Sequence, residues 1–386
     1  MLKYSLSTVY MTILTSNLLL ILIALFFRSS KVMINLGYRL LAIFVSITFI
    51  RFLFPFELPF TNRILLPNSL SFIIVLFRYP FLSLGKFQIS LWILLETIWM
   101  IGIIIGFVRH VKELRATKRF IYLFGKSPKH LNSYSLLLEE ICITQKKKNK
   151  FRILEIENLD SPKLYGIRKP IILLPSNLDL PIEDMHYILT HEATHHFHHD
   201  ILLKYFVHIL SIIYWWNPAC SFLYKKTSLI LEMRIDDSVV STPAETSHYL
   251  RCLLYLAETA QTKNHFNNAL SLPLAPLHKG ELTKRFEMLT SREQPRNFWV
   301  NISTLFIIGF LYILSYFYIF EAHYITPEIE ETITLYDDTS YFIQNENGTY
   351  DLYHTGIYFE TVTDLDYFPD DIPIYTREEY KSVNSP

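Results

Sequence analysis

The chain has 386 residues with 36 basic and 36 acidic side chains, so its formal net charge is zero. This balance argues against a protein that binds nucleic acid directly. Three cysteines without a CxxC pair argue against a disulfide framework or a thiolate metal site. A hydrophobic fraction of 51% and a positive mean hydropathy predict a protein embedded in the lipid bilayer.

Three apolar runs within residues 1–108 predict a membrane domain with three transmembrane helices. The runs, residues 7–27, 36–54 and 87–108, are long enough to cross a hydrocarbon core of about 30 Å. Seven lysines and arginines follow within residues 109–129. By the positive-inside rule this side is cytoplasmic, and counting back through three spans puts the N-terminus outside.

Residues 109–297 are predicted to form a cytoplasmic, membrane-facing domain. A helical region is followed by two β-type segments, residues 151–156 and 170–174, and then by the run His191-Glu192-Ala193-Thr194-His195. Helix positions i and i+4 share a face, so both imidazoles can bind one Zn²⁺. Glu192 lies beside them on the helix, where it is expected to take a proton from water at the metal.

The apolar residues 201–224 directly behind this motif are long enough to be counted as a further span. Two observations argue against a crossing. Ten lysines and arginines follow within residues 225–296, and Trp215-Trp216-Asn217-Pro218 interrupts the helix. We therefore expect a hairpin, buried in protein or dipping into the membrane face, with both ends cytoplasmic.

This hairpin returns a carboxylate to the side of the histidines. Glu232 and Asp236 lie four residues apart on a predicted helix and so share a face. A site with two histidines needs a third protein ligand, for which Glu232 is suited, and Asp236 is expected to accept the free ring N–H of a ligating histidine. The alternative is that both carboxylates belong to a solvated helix face.

The last part of the chain differs in composition from the rest. Residues 298–320 predict the fourth transmembrane helix, and residues 321–386 contain 15 acidic residues against Arg377 and Lys381, a net charge of −13. Charge and topology both put this tail outside. Segments 341–344, 349–353 and 357–362, separated by turn residues, predict a small β-meander. The fold class expected is a mainly α membrane protein with a cytoplasmic α+β domain and a small extracellular β-rich tail.

The chain resembles the BlaR/MecR-type antirepressor family of integral-membrane zinc metallopeptidases. The resemblance rests on the order of spans, the motif, residues 165–175, Trp216-Asn217-Pro218 and the Glu232–Asp236 pair, and covers roughly residues 1–320. Ala193 and Ile235 depart from the residues common in the family, at packing positions. The tail lacks an SxxK sequence, so we do not expect the family's penicillin-binding sensor domain.

The resemblance implies a gluzincin-like zinc protease domain with one Zn²⁺ per chain. His191, His195 and Glu232 would bind the metal, Glu192 would be the general base, and Asp236 would orient a ligand. An extended substrate would add to a sheet edge at Ile171, Ile172 and Leu173. The partners implied are the bilayer, a cytoplasmic repressor or the chain itself as substrate, an unknown extracellular ligand, and a second copy in a homodimer. The location implied is the bacterial cell membrane.

Two other functions fit the same sequence. One is a housekeeping metalloprotease that removes misfolded membrane proteins, which has no need of the acidic tail. The other is a receptor or immunity protein without catalytic turnover, although it has no need of the intact motif together with Glu232.

Overall fold

The computed structural model describes residues 6–56, 58–66, 80–84, 87–157, 159–176, 178, 180–261, 279–292, 294–322, 340–345, 348–354, 356–363, 365, 372–376 and 379–380. The chain forms two compact units, one of Met1–Leu65 with Leu76–Glu321 and one of Leu66–Val75 with Ala322–Pro386. The predicted boundaries after residues 108, 297 and 320 stay predictions.

The described helices are, in chain order, α1 (Leu6–Arg28), α2 (Ser30–Leu53), α3 (Leu91–Phe124), α4 (Leu131–Thr144), α5 (Ile182–Phe197), α6 (Asp200–Ile213), α7 (Pro218–Val239), α8 (Pro243–Gln261), α9 (Lys279–Thr290) and α10 (Phe298–Phe317). The strands are β1 (Asn62–Leu66), β2 (Pro80–Leu84), β3 (Phe87–Ser90), β4 (Arg152–Ile156), β5 (Lys163–Tyr165), β6 (Ile171–Pro175), β7 (Tyr318–Ala322), β8 (Ser340–Gln344), β9 (Tyr350–His354), β10 (Ile357–Val362) and β11 (Ile374–Thr376).

Four helices of the described residues, α1, α2, α3 and α10, are long and apolar enough to cross a membrane, as the sequence predicts. The third begins later and ends later than expected. Phe87–Ser90 is a strand paired with β2, and the helix starts at Leu91, where Ser90 caps it by accepting from the backbone N–H of Ile93. Its 34 residues extend about 51 Å, so α3 continues well beyond a hydrocarbon core of about 30 Å.

Arg51 joins α2 to the last span. A cation near the end of an apolar run ordinarily reaches toward the membrane surface, but Arg51 is 1% exposed. Its guanidinium donates to the hydroxyl and carbonyl oxygens of Ser315 at 3.0 and 3.1 Å and to the carbonyl oxygen of Phe54 at 3.2 Å. It also lies 4.1 Å from the ring centroid of Tyr316. Because these contacts all lie inside the bundle, α2 and α10 are tied together by a buried cation.

Helices α6 and α7 form the hairpin that the sequence predicts, while the cytoplasmic position of its two ends stays a prediction. The chain turns between them at residues 214–217, and α7 starts at Pro218 with the Asn217 side chain accepting from the N–H of Ala219. The 14 residues of α6 extend only about 21 Å, which is too short to cross the bilayer. At the tip, Asn217 donates to the side chain of Asn17, midway along α1, at 3.0 Å. The tip therefore lies among the spans. Helices α6 and α7 pack against each other along the hairpin.

A three-stranded sheet supports the motif helix. The strand order is β4-β6-β5, with β6 parallel to β4 and antiparallel to β5. One face of α5 packs into a core with this sheet, α4 and α8, through Met185, Ile188, Leu189 and Ala193. Ala193 is 0% exposed. Because this face of α5 is fixed in the core, the opposite face is held toward α6 and α7.

The second unit contains the sheet β10-β9-β8-β11. Strands β8, β9 and β10 pair antiparallel in sequence order, which confirms the predicted meander. The sequence did not predict β11, a three-residue strand that pairs parallel to β8. Phe342, Leu352 and Ile372 form the buried core on one face of this sheet.

Candidate metal centre

Two histidines of α5 and a carboxylate of α7 converge on one point. The Nε2 atoms of His191 and His195 lie 3.2 Å apart. Glu232 Oε2 lies 3.3 Å from His191 Nε2, and Glu232 Oε1 lies 3.5 Å from His195 Nε2. A tetrahedral Zn²⁺ with bonds of about 2.0–2.1 Å has ligand atoms about 3.3–3.4 Å apart. The separations are close to this spacing, and one ligand atom from each residue lies within 4.8 Å of the others, so the three residues can hold a zinc ion and leave a fourth position for water.

Asp200 fixes the orientation of His195. Helix α5 ends at Phe197 and α6 begins at Asp200. Between them, His199 has a left-handed backbone conformation with φ 59°. This tight turn brings Asp200 Oδ2 to 2.8 Å from His195 Nδ1, so Nδ1 donates to the carboxylate and Nε2 is left for a metal. Arg234 of α7 binds the other carboxylate oxygen. Sequence reasoning missed Asp200, although it lies five residues after His195 in the polar run behind the motif.

His191 is oriented by Tyr249 of α8. The Tyr249 hydroxyl lies 2.8 Å from His191 Nδ1 and donates to Asp236 Oδ1 at 2.8 Å. Asp236 Oδ1 itself is 3.4 Å from His191 Nδ1. Asp236 therefore acts on this histidine chiefly through the tyrosine hydroxyl, where the sequence predicted a direct contact. Tyr249 lies 58 positions beyond His191, and no local sequence pattern marks it.

Arg285 of α9 neutralises the buried Asp236, which is 0% exposed. Its Nε and Nη2 atoms donate to the two carboxylate oxygens at 2.6 Å each. Such a bidentate pair is among the strongest hydrogen-bonded contacts in proteins. The Nη1 atom also lies 3.6 Å from Glu232 Oε2. Helix α9 thus completes a chain of contacts that runs from Arg285 through Asp236 and Tyr249 to His191.

The charges of the metal-free cluster are strongly coupled. Burial lowers the pKa of His195, but the Glu232 charge and the Asp200 hydrogen bond outweigh it and raise this pKa to about 9. Burial raises the pKa of Glu232, but the charges of Lys204 and His195 outweigh it and hold this pKa well below its usual range. Glu232 is therefore ionised and ready to act as a ligand, whereas His195 has to lose its proton before it can bind a metal.

A cavity of about 140 Å³ opens beside the three ligands. Glu192, 8% exposed, lines it together with Lys163 and Leu164 of β5 and Lys204 of α6. The cavity therefore brings a candidate general base, the metal ligands and a strand to one place. This arrangement can hold a peptide bond beside a metal and a carboxylate.

Comparison with known proteins identifies the family. The family model described as BlaR1 peptidase M56 matches residues 83–289, which is more than half of the chain. The chain belongs to this family. It is also 29% identical over 157 residues to the regulatory protein BlaR1 of Bacillus licheniformis, covering 39% of this chain and 25% of that protein. It is 28% identical over 128 residues to the methicillin resistance mecR1 protein of Staphylococcus aureus, covering 32% of this chain and 21% of that protein.

The aligned part thus spans about a quarter or less of these relatives. The matched region of this M56 peptidase contains the motif helix α5, the hairpin α6–α7, and α8 and α9. All residues of the cluster therefore lie within the part of the chain that defines the family.

One site prediction for this M56 peptidase is wrong. Ile171, Ile172 and Leu173 were expected at a sheet edge, but β6 is the central strand. Ile172 pairs with Ile153 of β4 on one side and with Leu164 of β5 on the other. With both sides hydrogen-bonded, β6 has no free edge for a substrate. The strand that lies at the edge beside the cavity is β5, whose three residues are too short to stand out in the sequence.

Proposed function

We propose that the chain is a zinc-dependent endopeptidase of the bacterial membrane. Its substrate is a cytoplasmic repressor, the chain itself, or both, and its activity responds to a signal outside the cell. The observation that carries this proposal is the convergence of His191, His195 and Glu232, with ligand atoms within 4.8 Å of one another, in the cavity that Glu192 lines. Membership of the M56 peptidase family supports the same chemistry.

In this mechanism the chain holds the peptide bond and moves one proton. Zinc, when bound by the three ligands, lowers the pKa of water and polarises the scissile carbonyl. The Glu192 carboxylate accepts a proton as water adds to the carbonyl carbon, and it delivers this proton to the amide nitrogen as the C–N bond breaks. Asp200 and Tyr249 keep the two imidazoles in the tautomer that leaves Nε2 free.

The substrate binds to β5 as an additional strand. Hydrogen bonds from a backbone in β-augmentation give affinity for extended peptides of varied sequence, while pockets for side chains give specificity. Lys163 and Leu164 of this strand line the cavity next to Glu192. In this proposal the substrate adds to the edge strand β5 and not to the central strand β6.

The topology follows from charge and from the hairpin. In the proposed topology α5 and Glu232 lie on the same side of the membrane, because α6 turns back into α7, and the basic residues after the third span support the cytoplasm as that side. The N-terminus and the acidic residues 321–386 then lie outside. We propose that an external ligand acts on this tail and that α10 transmits the effect to the protease domain.

Cleavage in cells tests this function. A tagged candidate repressor is expressed with the wild-type chain, with Glu192→Gln, and with the chain lacking residues 321–386. We expect cleavage with the wild type and loss of cleavage by a factor of 10³ or more with Glu192→Gln, at equal protein levels in the membrane. Equal cleavage with both would contradict the peptidase assignment. Cleavage that is the same with and without the tail would favour the housekeeping protease.

A further inference from the structure

Peptide hydrolysis at this site needs a hydrogen-bond donor for the carbonyl oxygen, and none of the residues assigned so far has this role. As water adds, negative charge develops on the carbonyl oxygen, and donors aimed at that oxygen are worth about 10²–10³ in kcat. A tyrosine or a histidine is expected in this role, but the sequence does not identify one. Among the described residues, the only histidines that line the cavity are the two ligands, and the tyrosines are Tyr224 and Tyr249.

Both tyrosine hydroxyls already take part in hydrogen bonds within the protein. The Tyr249 hydroxyl is held between His191 and Asp236 at 2.8 Å from each. The Tyr224 hydroxyl is hydrogen-bonded to Ser228, one turn further along α7. A charged side chain at the cavity is a stronger candidate for the oxyanion donor, because a hydrogen bond from an ionised donor is about twice as strong as one between neutral groups.

Lys204 has the required position. It lies one turn after Asp200 on α6, so the two side chains share the face that points at the ligands. Its Nζ lies 3.2 Å from Glu232 Oε1, and its side chain is 15% exposed. It lines the main cavity and also a smaller one formed with β5, α3 and α7. The ammonium group therefore lies at the metal, beside the strand that we propose binds the substrate.

Lys204 also has hydrogen-bond donors to spare. An ammonium group carries three N–H bonds, and within the described part of the chain only Glu232 accepts one of them. Of the two arginines near the cluster, Arg285 is paired with Asp236, and Arg234 is paired with Asp200 and does not line the cavity. Lys163 lines the same cavity, and its charge interacts with Asp160 and with Glu192, the candidate base.

We propose that Lys204 donates a hydrogen bond to the carbonyl oxygen of the scissile peptide as that oxygen gains negative charge. The proposal rests on the zinc peptidase function above. Lys204 keeps its proton throughout, while Glu192 carries out the proton transfer to the leaving nitrogen. The Glu232 carboxylate holds the flexible four-carbon side chain in place by accepting one of the three N–H bonds, so Lys204 needs no further partner to be positioned.

Binding of two inhibitors to the full-length zinc-loaded chain in detergent tests this role. A peptide phosphonate carries a tetrahedral anion with an oxygen at the oxyanion position, whereas the matching peptide thiol binds zinc through sulfur and has no such oxygen. The variants are Lys204→Met, Lys204→Arg and Lys163→Met. The control is Lys225→Met, which removes an exposed lysine of α7 seven residues before Glu232.

We expect Lys204→Met to weaken phosphonate binding by about 100-fold, and thiol binding and zinc affinity by less than about threefold each. Lys204→Arg should recover part of the phosphonate affinity, and Lys225→Met should leave all three quantities within about twofold. Equal losses for phosphonate and thiol, or a fall in zinc affinity that accounts for the loss, would overturn the proposal and make Lys204 a positioning residue for Glu232. A selective phosphonate loss in Lys163→Met alone would overturn it in favour of that lysine. A wild-type chain that binds no zinc would overturn the function and this inference together, whereas equal losses leave the function intact.

Discussion

Replacement of Asp200 by asparagine tests the residue that orients His195. One carboxylate oxygen accepts from His195 Nδ1 at 2.8 Å, and the other binds Arg234. An asparagine side chain has one acceptor oxygen and one donor nitrogen, so in either orientation one of these two contacts becomes donor against donor. The Asp200 side chain is 2% exposed, so water cannot replace the lost hydrogen bond, which is worth about 1.5–3 kcal/mol when a charged group is involved.

The expected result is a zinc affinity lower by about 10–100-fold, which corresponds to about 1.4–2.7 kcal/mol. The measurement is a competition titration of the full chain in detergent against a chromophoric zinc chelator. Asp237→Asn is the matched control, because Asp237 is bonded to Tyr38 at 3.0 Å and to Arg292 at 3.2 Å and touches no metal ligand. An unchanged affinity in Asp200→Asn, or an equal loss in both variants, would refute the reasoning.

Three further outcomes are expected. Tyr249→Phe removes the hydroxyl that His191 contacts and should lower zinc affinity by about tenfold in the same titration, and an unchanged affinity would contradict the contact. In the metal-free chain the pKa of His195 is raised from 6.5 to about 9, so its protonation contributes stabilisation on the order of 3 kcal/mol that is complete below pH 6.5 and is lost as pH rises through 9. The melting temperature of chelator-treated protein should therefore fall between these pH values while that of the zinc-loaded form changes little, and equal falls would contradict the assignment. Arg51→Lys should lower the melting temperature because lysine cannot make the three guanidinium contacts with Ser315 and Phe54. Arg39→Lys, at an exposed position, should leave the melting temperature unchanged. Equal effects of the two substitutions would contradict the role of Arg51 in joining α2 to α10.

The features that the sequence predicts well are those with a local pattern. Long apolar runs identify all four spans in the described residues, and the spacing of His191 and His195 identifies the motif helix. Glu232 is reached by a longer argument, since charge after the apolar run and the break before Pro218 require a hairpin that returns the chain to the same side. The structure brings all three side chains together.

The features that the sequence does not predict depend on contacts between distant segments. Tyr249 and Arg285 come from α8 and α9, and their side chains meet Asp236 only after three helices have packed together. Strand β5 has three residues, too few for a period of two to be visible, and without it β6 looks like an edge. Arg51 lies near the end of an apolar run, where an arginine side chain is ordinarily expected to reach the membrane surface. Its side chain instead turns inward to Ser315 of α10, a contact that the sequence does not predict.

Zinc content is the most direct test of the central claim, that His191, His195 and Glu232 form one metal site and Glu192 serves a different purpose. The measurement is metal analysis of the purified full-length chain in detergent after zinc loading and removal of excess metal, for the wild type, Glu192→Gln and Glu232→Gln. We expect about one zinc per chain in the wild type and in Glu192→Gln, and loss of most of the zinc in Glu232→Gln, where a carboxylate ligand is replaced by a neutral amide. A wild-type chain without zinc, or a Glu232→Gln variant that retains it with unchanged affinity, would contradict the account.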